Sequence, residues 1–81
     1  MNLIKKVFYG KKINAMIYSG KKNHLDKKYF DAIKDFTYAL NVDSNNETAL
    51  LSRSKVYMDI TQFDNAKNDL LTLQKINPNA D

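Results

Sequence analysis

The sequence predicts an all-α chain of two helix-turn-helix units. Apolar residues recur at helical spacing, no segment alternates with period two, and the pattern returns on itself at a fixed interval. Tyr29 returns as Phe63, Ala32 as Ala66, Phe36 as Leu70, Ala39 as Leu73 and Val42 as Ile76, each 34 positions on. Upstream, Ala15 returns as Ala49 and Gly20 as Ser54 at the same interval. A period of this kind marks a repeat array, in which no unit buries its apolar face alone and stacked units share one core. Small residues (Ala15, Gly20, Ala32, Ala49, Ser54, Ala66) let helices approach, and Tyr29, Phe36, Tyr57, Phe63 and Leu70 fill the remaining space as core.

Taken in order, residues 1–12 form a helical lead-in or the end of a preceding repeat, with apolar Leu3, Ile4, Val7 and Phe8, interrupted at Gly10. Unit one covers residues 13–46. Its first helix runs from about Lys12 to Leu25, with Ile13, Ala15, Met16, Ile17 and Gly20 on the apolar face. Asp26 is placed to cap a second helix from about Lys28 to Asn41, after which Val42 closes the turn. Unit two covers residues 47–81. Ser44-Asn45-Asn46-Glu47 reads as a capping box, the Ser44 hydroxyl taking the Glu47 amide and the carboxylate reaching back. A third helix follows from Asn46 to about Ile60. Thr61 is placed to cap the last, which ends near Ile76 before Pro78.

Eighty-one residues make one small domain with a modest core. There is no cysteine, hence no disulfide and no thiolate metal site. No apolar run is long enough to span a membrane, no signal-peptide core is present, and cytoplasmic residence is the expectation. The net charge of +4 is unevenly spread. Residues 1–28 hold eight lysines and one acid, giving +7, and residues 29–81 hold five bases and eight acids, giving −3. Such asymmetry suggests an acidic partner or head-to-tail packing, although twelve lysines and ten asparagines also fit an AT-rich coding sequence.

Catalytic chemistry finds little footing. The single histidine, His24, reads as a solvated surface residue and has no second ligand for zinc. Two glycines ten apart cradle no phosphate. Asp31 and Asp35, four apart on a helix, read as outer-face charges. No enzyme activity, cofactor or metal is expected. Lysine pairs at 5-6, 11-12, 21-22 and 27-28 could neutralise phosphates, but no regular aromatic interleaving accompanies them. A basic module for nucleic acid or an anionic surface is therefore the alternative function, not the leading one.

From Ile13 to Ala80 the chain resembles the tetratricopeptide-repeat family, by its period and by Ala49, Leu50, Tyr57, Phe63, Ala66, Leu70 and Pro78 in unit two. The stretch ALNVDSNNETALLSRSKVYMDITQFDNAKNDLLTLQKINPN is especially similar to the repeats ending large immunophilin co-chaperones, in its DSNNE turn and its run of Phe63, Ala66 and Asp69. The resemblance implies a helical-repeat fragment without catalysis, part of a larger co-chaperone or scaffold. It further implies that a partner protein or acidic peptide binds in a concave groove lined by the first helix of each unit. Members that clamp chaperone tails place basic residues and asparagine at positions 2 and 6 of those helices. Here these positions hold Asn14, Thr48, Tyr18 and Ser52, and Arg53 stands one residue out of register. Position 9 is lysine in both units, Lys21 and Lys55. The candidate groove is thus Asn14, Tyr18, Lys21, Thr48, Ser52 and Lys55. Two units are fewer than the three such arrays need. The last helix, with Leu70, Leu71, Leu73 and Ile76, is accordingly expected to be covered by the rest of a longer protein or by self-association.

Overall fold

A computed structural model describes residues 2–79. It is all-helical: α1 spans Leu3–Leu25, α2 Tyr29–Val42, α3 Glu47–Asp59 and α4 Phe63–Ile76. Tyr9 and Ile13 of α1 lie beside Val42 and Asp43 at the end of α2, and His24 lies beside Tyr29 at its start. Sequential helices therefore run in opposite directions, as their short connections require.

α1 is one continuous helix rather than a lead-in and a separate first helix. Asn2 caps it, its Oδ1 accepting from the Lys5 amide at 2.9 Å, and Gly10 has no positive φ. A mid-helix glycine costs only about 1 kcal/mol, too little to break a capped helix that packs on α2 from Tyr9 onward.

The turns are built differently from the expectation, because each helix starts later than its expected cap. α1 and α3 both end in a Schellman motif. Lys27 donates to the His24 carbonyl and Lys28 to that of Asn23, at 3.0 and 2.8 Å. Thr61 donates to Met58 and Gln62 to Tyr57 at the same two distances. The motif's left-handed residue is Lys27 in one unit and Thr61 in the other, each with φ 61°. Asp26 therefore ends α1 instead of capping α2, and the Thr61 hydroxyl donates to the Ile60 carbonyl at 2.7 Å instead of capping α4. Lys28 and Gln62 precede α2 and α4 with no side-chain cap. Ser44 also lies too early for a capping box. Asn46 caps α3, accepting from the Ala49 amide at 2.9 Å, and Glu47 accepts from Asn77 at 3.0 Å.

The core joins Ile17 of α1, Ala32, Phe36, Ala39 and Leu40 of α2, Ala49, Leu50 and Val56 of α3, and Leu73 of α4. Phe36 is fully buried, which favours folding by about 3 kcal/mol over an exposed ring. Its space comes from Gly20: a Cβ there would stand 2.6 Å from the ring's Cε1 and 2.8 Å from Cζ. Ser54, in the matching position of α3, is also fully buried, its hydroxyl donating to the Leu51 carbonyl at 2.6 Å.

Three residues expected in the core are outside it. Ala15 is exposed although Ala49 is fully buried. Phe63 is 63% exposed and Leu70 37%. In each case the side chain lies on an uncovered side: α2 and α3 cover each other, and among the described residues nothing stands against the outer sides of α1 and α4. The last helix is less bare than its sequence suggests, since Leu73 is buried and Ile76 packs on the core, leaving Leu70 and Leu71 half covered.

Each unit carries one polar bridge between its helices, at matching positions. Asp35 accepts from Ser19 at 2.7 Å and from Asn23 at 2.9 Å, so it faces α1 and is not an outer-face charge. Asp69, buried, accepts from Arg53 Nε at 2.8 Å and Nη2 at 2.6 Å, while Nη1 donates to Thr37 of α2 at 3.0 Å. This fork ties α2, α3 and α4 together. The hydrogen bond to Asp69, ahead of its charge, raises the Arg53 pKa above its ordinary value despite burial.

Two outcomes test this packing. Gly20→Ala should lower stability by about 1–2 kcal/mol, overpacking outweighing the better helix propensity. Gly10→Ala has nothing within 4 Å and should raise stability by up to about 1 kcal/mol. Thermal melts giving both changes the same sign would contradict the Phe36 contact. Asp69→Ala should cost about 3 kcal/mol by stranding a mostly buried guanidinium, and Asp69→Leu with Arg53→Met should recover most of that loss. A denaturant double-mutant cycle reads the coupling, and additive losses would show that the fork is not intact in solution.

Candidate binding groove

α1 and α3 touch side by side, whereas α2 and α4 do not. α1 and α3 therefore form the closer layer and share one face. The translation that carries α1 onto α3 carries Lys21 onto Lys55, which puts both on that face.

A hollow of about 270 Å³ opens there, lined by Lys21, His24, Leu25, Phe36, Ser52 and Lys55. Lys21, Ser52 and Lys55 of the six sequence-derived groove residues thus come together. Asn14, Tyr18 and Thr48 are exposed and do not line it. Tyr18, at 73% exposure, stands three residues before Lys21, and Asn14 lies a further turn away. Thr48 sits at the start of α3, about one turn before Ser52. The hollow occupies the ends of α1 and α3 where both lysines fall, so the groove residues nearer the helix starts are left outside it.

The floor is apolar: Leu25 is 84% exposed, and fully buried Phe36 lies beneath the surface between α1 and α3. The rim is basic. Lys21 and Lys55 are exposed, and Ser52 is half-buried and offers a hydroxyl. His24 is not a free surface residue: its Nε2 lies 2.6 Å from Asp59 Oδ2, and its ring meets the Tyr29 ring edge-on at 6.0 Å. This bond ties the end of α1 to the end of α3. It also engages Asp59, which stands four residues after Lys55 on α3. An apolar floor with two cations and a hydroxyl at the rim suits an extended segment carrying an acidic group beside an apolar one.

Sequence reasoning missed His24, Leu25 and Phe36 as lining residues. The signal for His24 was present, because it stands three residues after Lys21 and so shares its side of the helix. Asp59 likewise stands four after Lys55. Phe36 was legible as core but not as a floor, since nothing in one helix's pattern says where two others part. Arg53, one position from Ser52, points to Thr37 and Asp69 rather than into the hollow. No three metal-ligating side chains converge among the described residues.

Comparison of the chain with protein-family models, with curated proteins and with solved structures finds no match.

Proposed function

We propose that the chain is a tetratricopeptide-type interaction module that binds a partner protein or acidic peptide across the α1–α3 face and performs no chemistry of its own. The setting this reading implies is a larger co-chaperone or scaffold of the cytoplasm. One observation carries it: two lysines at the same repeat position rim one hollow with an apolar floor. The 34-residue return of the sequence supports the repeat assignment. So does the backbone. The residues before α2 and α4, Lys28 and Gln62, have φ,ψ of −91°, 70° and −89°, 71°, and those after them, Asp43 and Asn77, share −137°, 90°.

Two like charges on one rim repel in the free protein, and an acidic ligand relieves that repulsion. The absence of a basic residue at positions 2 and 6 argues for a ligand other than a clamped chaperone tail. Lysines at position 9 move the cationic site toward the helix ends.

Lys21→Glu with Lys55→Glu should weaken binding to the best ligands of an acidic-peptide array by on the order of tenfold at low salt, with helicity unchanged. Lys22→Glu with Lys67→Glu alters net charge equally but at exposed sites outside the hollow, and should weaken it by less than about twofold. Equal losses from the two pairs would remove the groove and leave only a basic surface.

A further inference from the structure

The N-terminal half of α1 carries an apolar stripe that the fold does not use. Leu3 is 76% exposed, Ile4 81%, Val7 52% and Phe8 61%. They share one side of the helix, three and four residues apart, and with Lys11 they enclose a shallow depression of about 420 Å³. The opposite side, with Tyr9 and Ile13, faces α2. Lys5 and Lys6 flank the stripe, Lys6 on the side toward Val42 and Asp43, and Lys11 stands in it. Lys12 is turned away, its Nζ 5.2 Å from the Tyr38 ring centroid. No acidic residue occurs between Asn2 and Leu25.

We infer that this half of α1 is a membrane-surface anchor, lying in the plane of an anionic bilayer with Leu3, Ile4, Val7 and Phe8 inserted and Lys5, Lys6 and Lys11 at the lipid phosphates. Two kinds of group are required for that mode and both are present: an exposed apolar face to enter the acyl boundary and cations to meet the headgroups. The long lysine side chains lay their methylenes along the apolar surface and keep the ammonium at the headgroup level. Continuing along α1, the outer face holds Ala15, Tyr18 and Lys22, all exposed, so the basic apolar strip extends beyond the first turns.

Charge favours a bilayer over other occupants. A second copy stacked head to tail would place its α4 against this face. α4 offers Asp64, because Asp69 is held by Arg53, and it exposes Lys67 and Lys75 besides. In α3 the face turned to α2 has fully buried Val56, and the matching residue of α1 is exposed Lys22. A stacked helix would bury that ammonium without a partner. Nucleic acid would use the lysines but give the four apolar side chains nothing to enter. The groove lies at the other end of α1, so the two readings fail separately.

The test is flotation of the full chain with vesicles of phosphatidylcholine alone, or with about a quarter phosphatidylserine. Binding is expected only to the anionic vesicles. Val7→Asn with Phe8→Asn, and separately Lys5→Gln, Lys6→Gln and Lys11→Gln together, should each reduce it at least about tenfold. Lys34→Gln, Lys67→Gln and Lys75→Gln remove as much charge from other helices and should change it by less than about twofold. The chain has no tryptophan, so Phe8→Trp reports position directly, and its emission should shift to the blue on the anionic vesicles. Four results would overturn the proposal: no anionic preference, full binding by the asparagine variant, equal losses from the two glutamine triples, or lipid-free association abolished by the asparagine variant.

Discussion

The contact of the Phe36 ring with bare backbone at Gly20 is the constraint on which the rest depends. A ring from the middle of α2 reaches the core only because α1 presents no side chain there. In a chain this short few residues are fully buried, so one aromatic carries a large share of a total stability of about 5–15 kcal/mol. The same ring lies against α1 and, still fully buried, beneath the hollow between α1 and α3. Packing and site thus meet at one residue. Unit two has no equivalent, since Ser54 folds its hydroxyl onto its own helix and Leu70 remains partly in solvent.

Element type and order were legible because the 34-residue return and the helical stripes are strong signals. Helix ends were less so. The connections after α1 and α3 use left-handed residues without glycine, and a lysine and a threonine announce no such turn. The reading of Asp26, Ser44 and Thr61 as caps followed side-chain preference, while the backbone took the hydrogen bonds first. Burial failed in a regular way. Ala15, Phe63 and Leu70 were assigned to the core by their repeat positions, and each lies on a face that no described element covers. For the groove, the lysines were legible from register, but the hollow between helices depends on their relative placement. Asp35 and Asp69, 34 apart, were a missed internal signal. A carboxylate retained in both copies at the same position points to a bridge between helices.

The basic half of the molecule divides into two regions with different character. Toward the helix end, Lys21 joins Lys55 around an apolar floor, a shape suited to a peptide. Toward its start, lysines stand beside Leu3, Ile4, Val7 and Phe8 around a wide, open depression. One long helix thereby presents two basic surfaces, with Lys11 and Lys21 about three turns apart. Interaction with Tyr38, whose ring centroid lies 5.2 Å from the Lys12 Nζ, raises that lysine's pKa above its ordinary value and links the region between them to α2.

His24 and Asp59 make the one polar bond that joins α1 to α3 among the described residues. It is largely open to water on the Asp59 side, and such bonds contribute little to stability. On the far layer α2 and α4 leave a gap. The two hairpins are therefore joined as by a door hung on the α2–α3 seam and closed with a light catch. The seam is buried, and the catch, at the rim of the hollow, costs little to release.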